Sequence, residues 1–251
     1  MKRNTITIVS DGSKFVINNK GDLAINCNSI RSCESDNTVL SGSRSADIID
    51  GLINGVMNDV YWVSADYHLY KEKLKSGTDR EKALKDTKDV IKLHNSIVKP
   101  DDSFIFLGDL SESEYADSGY EVLKVIKETT SRLNGKKALI IIGNNDTCTN
   151  KFYKECGFKF ISRAPTLSNN KLILSHYPAN VSGDQINVHG HIHGSKKYWG
   201  LDPKNHIDCY WKLWNGPVKY SRLLKELKSG NYKGVKVNGD SNEPETSDSH
   251  L

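Results

Sequence analysis

The chain has 251 residues, of which 37% are hydrophobic and 26% are charged, and its formal net charge is +4. This length suits one large domain with additions, and the composition is that of a globular chain with its own core. No apolar run approaches the roughly 18 residues that a membrane-spanning helix needs, so we expect no membrane segment. The small excess of basic residues suits an anionic ligand, but it is also an ordinary solubility charge.

The cysteines indicate a reducing compartment. Their number is odd, and the five are scattered without any Cys-x-x-Cys pair, which is not the pattern of a disulfide scaffold. The first twelve residues also lack the apolar stretch of a secretory signal. We therefore expect a cytoplasmic protein.

Residues 1–58 are predicted to form an N-terminal extension. Apolar and polar positions alternate in three short runs between residues 4 and 30, separated by Asp11-Gly12 and by residues 18–21. Such alternation between turn signals is typical of β-strands, so we expect a small antiparallel meander. A polar loop is then predicted for residues 31–46, and a short helix for residues 46–57, where apolar residues recur at helical spacing.

Residues 59–233 are predicted to form an α/β domain. Two charged stretches with a helical apolar stripe, 79–98 and 118–133, lie between short apolar runs. The five runs that each end in a cluster of Gly, Asp, Asn or His are 60–68, 103–110, 137–146, 171–178 and 186–194. Strand, helix, strand, helix, strand is the pattern of a layered α/β fold, in which functional groups gather at the carboxyl ends of the strands.

The C-terminal part continues this domain and then becomes polar. Residues 206–220 are predicted as strand material broken by a turn at Asn215-Gly216-Pro217, and residues 221–227 as a short helix. The tail, residues 234–251, is acidic and contains Ser and Pro, so we expect it to be disordered.

The polar clusters that follow the predicted strands form an ordered set of metal-binding side chains. In chain order they are Asp66-Tyr67-His68, Gly108-Asp109, Gly143-Asn144-Asn145-Asp146, His176 and Gly190-His191-Ile192-His193. One such cluster is weak evidence, because an Asp-x-His or a Gly-Asp often occurs by chance. Five in succession at strand ends are not explained by chance, and nitrogen and oxygen donors without thiolates suit Mn, Fe, Zn, Ni or Co.

This set resembles the signature of the calcineurin-like metallophosphoesterase superfamily, which runs D-x-H, G-D, G-N-H-[DE], H and G-H-x-H. The resemblance covers residues 59–220 and is closest to small bacterial and phage-encoded phosphoesterases. It implies an α/β fold, a four-layer α/β/β/α sandwich, here with a small N-terminal β extension. It also implies a centre of two divalent transition-metal ions, for which we favour Mn.

The resemblance also assigns the metal ligands by position. It implies that the first metal is held by Asp66, His68 and His193. The second would be held by Asn144, His176 and His191, with Asp109 bridging both. Two divalent ions can share a hydroxide and present it in line to phosphorus, so we expect hydrolysis of a phosphate ester by attack of a metal-bridging hydroxide.

The third motif departs from the family at Asn145, where the family has a histidine that contacts the phosphate and helps to protonate the leaving group. We assign Asn145 to substrate binding and, with Asp146, to catalysis, although asparagine cannot transfer a proton at neutral pH. Asp146 either orients Asn145 or a metal-bound water, or caps the next turn. Phosphodiesterase branches of the family also lack this histidine, so we expect a phosphodiester substrate of nucleotide type or nucleic acid.

Two other functions remain open from the sequence. One is a phosphomonoesterase or nucleotide pyrophosphatase, and the other is a catalytically weak, phosphoesterase-like binding module. Lys196-Lys197-Tyr198-Trp199, after the last motif, combines bases with aromatic rings and suits a nucleotide or a single strand, although a solvated loop also explains it.

Overall fold

The computed structural model describes residues 6–10, 13–17, 23–27, 43–70, 77–111, 120–195 and 204–229. The chain divides into two compact units, residues 1–54 and 55–251. Three sequence predictions lie outside the described residues: the polar loop up to residue 42, the segment Lys196–Trp199 and the acidic tail at 234–251.

The N-terminal unit contains the predicted meander. Its strands β1 (Ile6–Ser10), β2 (Ser13–Ile17) and β3 (Leu23–Cys27) pair antiparallel in the order β1-β2-β3. The prediction of an antiparallel meander is therefore confirmed. The helix α1 (Ser43–Met57) follows, and it begins at Ser43 rather than at Ala46 as predicted.

The first sheet of the second unit is parallel. Its strands are β4 (Tyr61–Ser64), β5 (Ser103–Phe106), β6 (Lys136–Ile141) and β7 (Phe160–Ser162), which pair in this order. Parallel neighbours need a crossover connection, usually a helix. The three connections contain α2 (Gly77–Ile97), α3 (Tyr120–Ser131) and α4 (Asn150–Glu155). All four strands therefore end at the same edge of the sheet.

The second sheet is mixed. Its strands are β8 (Thr166–Ser168), β9 (Leu172–Ser175), β10 (Ile186–His189) and β11 (His206–Asp208), in the order β11-β10-β9-β8. β9, β10 and β11 are parallel, and β8 is antiparallel to β9. Two sheets with helices confirm the predicted α/β architecture.

The core of the second unit lies around β5 and β6. Phe104, Phe106 and Ile140 are fully buried there, together with Tyr153 from α4. Continuous apolar strands of this kind are typical of a parallel sheet that is covered on both faces. None of the helices in the described ranges combines the length and the apolar character that crossing a membrane requires.

Residues 211–214 differ from the prediction, because they form a one-turn helix, α5 (Trp211–Trp214), and not a strand. Asn215 adopts a left-handed backbone with φ 56°, which closes the turn. The indole N–H of Trp214 donates to the carbonyl of Asp208 at 2.7 Å. The turn at Asn215 and the hydrogen bond from Trp214 to Asp208 take the place of hydrogen bonds to a neighbouring strand. The helix α6 (Tyr220–Lys228) then begins one residue before the predicted Ser221.

Candidate metal centre

The five predicted motifs come together in the second unit, after the carboxyl ends of β4, β5, β6, β9 and β10. The N–H of Asp66 donates to the carbonyl of Gly108, and the N–H of Gly190 donates to the carbonyl of His176, both at 3.0 Å. The N–H of His191 donates to the two carboxylate oxygens of Asp66 at 3.0 and 3.1 Å. This last contact joins the loop after β4 to the loop after β10, and therefore joins the two sheets.

Six of the seven predicted ligands form two clusters. The first cluster consists of Asp66, His68 and His193. The second cluster consists of Asp109, His176 and His191. Within each cluster, one possible ligand atom per residue lies within 4.8 Å of the others. Asp109 faces both, because its Oδ2 is 3.7 Å from Nε2 of His68 and its Oδ1 is 3.5 Å from Nε2 of His176. One carboxylate therefore presents an oxygen to each cluster.

The seventh predicted ligand, Asn144, contacts two members of the second cluster. Its Oδ1 lies 2.9 Å from Nε2 of His176 and 3.0 Å from Nδ1 of His191. Nδ1 of His176 faces the carbonyl of Leu107 at 2.9 Å, so the proton of the neutral ring is on Nδ1 and Nε2 carries a lone pair. Two acceptors, Oδ1 and Nε2, thus point at each other, which suits a cation shared between them. The donor set therefore fits a metal ion.

The backbone around the two clusters is strained. Five predicted ligands have the left-handed backbone that residues other than glycine rarely adopt: Asp66, His68, Asp109, His191 and His193, with φ between 45° and 70°. The described chain has eight non-glycine residues in this region, so the predicted ligands make up most of them. Such residues each cost on the order of 1–3 kcal/mol and gather at functional sites.

Burial keeps two of the histidines neutral. Desolvation lowers the pKa of His176 to about 4. The pKa of His191 is also lowered to about 4, first by burial and then by the neighbouring His176. The neutral imidazole is the form that binds metals.

A family model of calcineurin-like phosphoesterases matches residues 56–245, a range that contains all five motifs. The chain belongs to the calcineurin-like phosphoesterase family. The family and the two clusters together support a metal-dependent phosphoesterase that takes divalent ions and acts on phosphate esters.

A solved structure, of a protein of unknown function from Aquifex aeolicus, matches this phosphoesterase over 66% of our chain and 97% of its own length. The two sequences are 17% identical and the TM-score is 0.43. No protein with a curated description matches the chain.

Asn145, the residue that departs from the family signature, contacts Asp109. Its Nδ2 donates to Oδ2 of Asp109 at 2.9 Å, and its backbone N–H donates to Oδ1 at 2.9 Å. The predicted roles of Asn145 in substrate binding and catalysis stay predictions. The structure adds a contact to the carboxylate that faces both clusters, which the sequence did not reveal.

Asp146 is buried and holds two of the loops together. Its Oδ2 accepts the N–H groups of Asp109 and Gly143 at 2.8 and 3.0 Å, and its Oδ1 accepts the N–H of Leu110 at 3.0 Å. Burial raises the pKa of Asp146 to about 7, and the charge of Asp109 adds to this effect. These contacts give Asp146 a structural role between the second and third motifs, and its catalytic role stays a prediction.

Asp208 and Tyr210 were missed from the sequence as parts of this centre. The buried carboxylate of Asp208 accepts the N–H groups of Gly194 and Tyr210 at 2.6 and 2.8 Å. The ring of Tyr210 stacks on that of His193, with centroids 4.6 Å apart and 24° between the planes. The available signal was an aspartate at the end of β11, the same position that marks the other motifs.

Proposed function

We propose that this phosphoesterase is a two-metal enzyme that hydrolyses a phosphodiester. The first ion would be held by the first cluster, the second by Asn144, His176 and His191, and Asp109 would bridge them. Nitrogen and oxygen donors without a thiolate suit Mn, Fe, Zn, Ni and Co, and of these we favour Mn. The observation that carries the proposal is the placement of the Asp109 oxygens, with Oδ2 3.7 Å from Nε2 of His68 and Oδ1 3.5 Å from Nε2 of His176.

The surrounding side chains support this function by orienting the donors. When bound, two divalent ions supply the Lewis acidity that activates water for attack on phosphorus and offsets the charge of the phosphoryl oxygens. The carbonyl of Leu107 fixes the ring of His176, and the backbone N–H of His191 fixes the carboxylate of Asp66. Partners of this kind set the tautomer and direction of a metal ligand.

Asn145 supports a diester rather than a monoester substrate. Its side-chain amide donates a hydrogen bond to Asp109. At this position of the motif the family has a histidine that transfers a proton. General acid catalysis typically contributes about 10²–10⁴-fold, so poor leaving groups should be cleaved slowly. A neutral amide also offers less attraction to the second negative charge of a monoester than a protonated histidine does. We therefore infer a preference for a phosphodiester of nucleotide type or nucleic acid.

The test compares two substrates that release the same leaving group, bis-p-nitrophenyl phosphate and p-nitrophenyl phosphate, with Mn-loaded protein. We expect a higher kcat/KM for the diester, and we expect Asn145→His to shift the ratio toward the monoester. Asp109→Ala should abolish both activities, which excludes a contaminating enzyme. Faster cleavage of the monoester by the native protein would contradict the diester preference. No turnover with any of the five metals would favour the binding module.

The expected cytoplasmic location is part of this proposal. It rests on the cysteine pattern of the sequence, and the two buried cysteines in the described part of the chain, Cys156 and Cys209, are free thiols. Resistance of the native fold to reducing agents, measured as an unchanged thermal unfolding midpoint, is the expected result.

A further inference from the structure

A cavity of about 230 Å³ lies beside the first cluster. Asp66 and His68 line it on the side of the candidate metal centre, and Tyr210 and Trp211 line it on another side. Ligand pockets for drug-sized molecules commonly measure roughly 300–1,000 Å³, so this cavity suits one small group and not a length of polymer. Nothing in the proposed phosphodiesterase chemistry uses it.

The aromatic residues connect the cavity to the candidate metal centre. Tyr210 stacks on His193, and the neighbouring Trp211 is half-buried. The indole ring of Trp211 meets the ring of the buried Tyr67 edge-on, at 6.3 Å between centroids and 84° between planes. Trp211 is therefore fixed from the core side while it lines the cavity. Base–aromatic stacking contributes about 1–3 kcal/mol per base, and it tolerates any base because every base has a flat face.

The charged residues of the cavity favour a ligand with hydrogen-bond donors. Asp86 and Asp89, two exposed carboxylates on α2, line it together with Lys212. Asp89 already pairs with Lys85 at 3.2 Å, and Nζ of Lys212 lies 5.7 Å from the ring centroid of Trp211. Carboxylates accept hydrogen bonds from hydroxyl and amino groups, and they repel a second phosphate. A neutral group with hydroxyl and amino donors fits this wall better than the next phosphate of a nucleic acid strand.

We propose that this cavity binds a single nucleoside, the alcohol group of a phosphodiester whose phosphate lies at the metal centre. Trp211 stacks on the base, and Asp86 accepts hydrogen bonds from the sugar or the base. This inference rests on the proposed phosphodiesterase function, and it narrows the substrate from nucleic acid to a nucleotide ester. Trp211 and Asp86 then determine specificity and leave the bond-breaking step unchanged.

The kinetic test uses two diesters that share one leaving group, thymidine 5′-(p-nitrophenyl phosphate) and methyl p-nitrophenyl phosphate, with the Mn-loaded full chain. We expect the KM of the thymidine ester to be about tenfold lower than that of the methyl ester, because one stacked base contributes binding free energy of this size. Trp211→Ala should raise the KM of the thymidine ester about tenfold and leave the KM of the methyl ester unchanged. Trp211→Phe keeps a stacking ring, so it should keep most of the preference for the thymidine ester. Because Trp211 also packs in the core, Asp86→Ala at the exposed helix surface is the second variant. Asp101→Ala, an exposed aspartate outside the cavity wall, is its matched control.

A binding measurement separates this inference from the proposed function. Calorimetry with thymidine 5′-monophosphate should show binding to the native protein, weakened in Trp211→Ala and Asp86→Ala and unchanged in Asp101→Ala. Binding with this pattern but no hydrolysis of either ester overturns the phosphodiesterase and keeps the nucleoside site. Equal KM values for the two esters, or equal binding by native and Trp211→Ala protein, overturn the nucleoside site and keep the phosphodiesterase. Tighter binding of a thymidine dodecamer than of the monophosphate overturns the single-nucleoside site in favour of a nucleic acid strand.

Discussion

The hydroxyl group of Tyr67 donates a hydrogen bond of 2.7 Å to Nδ1 of His94 in the core of the second unit. Nε2 of His94 lies 2.9 Å from the carbonyl of Asn134, an acceptor, so the ring proton is on Nε2 and Nδ1 accepts. Tyr67 lies between Asp66 and His68, two predicted ligands with left-handed backbones. The bond therefore anchors the loop that carries Asp66 and His68 of the first cluster to α2.

Removing this hydroxyl group should destabilise the protein. Tyr67→Phe leaves Nδ1 of His94 buried without a donor, which costs about 1–3 kcal/mol of the free energy of unfolding. The measurement is urea unfolding in the presence of a chelator. Tyr61→Phe, at a half-buried tyrosine on the neighbouring β4, is the matched control and should change the free energy by less than about 0.5 kcal/mol. Equal effects of the two substitutions would show that the Tyr67 hydroxyl anchors nothing.

The same histidine predicts how stability depends on pH. Burial lowers the pKa of His94 to about 4, against 6.5 for an unperturbed histidine. The unfolded chain therefore binds this proton more readily than the native protein does between pH 4 and 6.5. The stability that the neutral ring contributes is full above pH 6.5 and is lost as the pH falls toward 4.

His94→Gln isolates this effect, because glutamine cannot titrate. Between pH 7 and pH 5, the native protein should lose about 2 kcal/mol more of its free energy of unfolding than the variant loses. The other histidines, the buried His176 and the half-buried His191 among them, are present in both proteins and cancel in the difference. Parallel pH profiles for the two proteins would contradict a neutral His94 in the native state.

The sequence predicted the site better than it predicted the segment beside it. The motifs were recognisable because each is short and follows an apolar strand, so local order was enough to bring Asp66, Asp109 and His176 into one region. Residues 211–214 were predicted as strand because tryptophan, which occupies two of these four positions, favours strands. The contact that decides their structure, from the Trp214 indole to the Asp208 carbonyl, depends on how the chain turns back on itself.

Asn145 shows the same limit within a motif. The sequence indicated that this residue replaces a histidine, and the chemistry of an amide followed from its identity. The direction of its side chain did not follow, because Asp109, which accepts its N–H groups, lies 36 positions earlier in the chain. A loop has no periodicity from which such a long-range contact can be predicted.

Asp146→Asn should distinguish a structural role from a catalytic one. The carboxylate accepts three backbone N–H groups, and an amide nitrogen in place of one oxygen turns at least one of these contacts into two opposed donors. We expect a loss of about 1–3 kcal/mol in the free energy of unfolding. We also expect about 10–100-fold weaker Mn binding by calorimetry, because the ligand loops are no longer held together. A lower kcat with unchanged stability and Mn affinity would instead make Asp146 a catalytic residue.

Gly190→Ala should disturb the centre through one added methyl group. A Cβ at this position would lie 2.6 Å from Oδ2 of Asp66 and 2.6 Å from Cβ of Ala65, closer than such atoms approach. Asp66 must then move, so we expect about 10–100-fold weaker Mn binding. Gly51→Ala, on α1 with no atom within 4 Å of the added Cβ, should leave Mn binding unchanged and stabilise the helix by up to about 1 kcal/mol. Unchanged Mn affinity in Gly190→Ala would show that the first cluster does not use Asp66.

Metal removal should lower the stability of the native protein, because its donors are held together only in the folded state. A ligand that binds only this state adds about 2.7 kcal/mol to the free energy of unfolding at 100 times its dissociation constant. The thermal unfolding midpoint should therefore rise with added Mn and fall with a chelator. Asp109→Asn removes one of the two carboxylate oxygens that face the clusters, so it should lose most of this response, whereas Asp101→Asn at an exposed site should keep it. An identical midpoint with Mn and with chelator in the native protein would mean that the opposed acceptors of His176 and Asn144 do not share a metal ion.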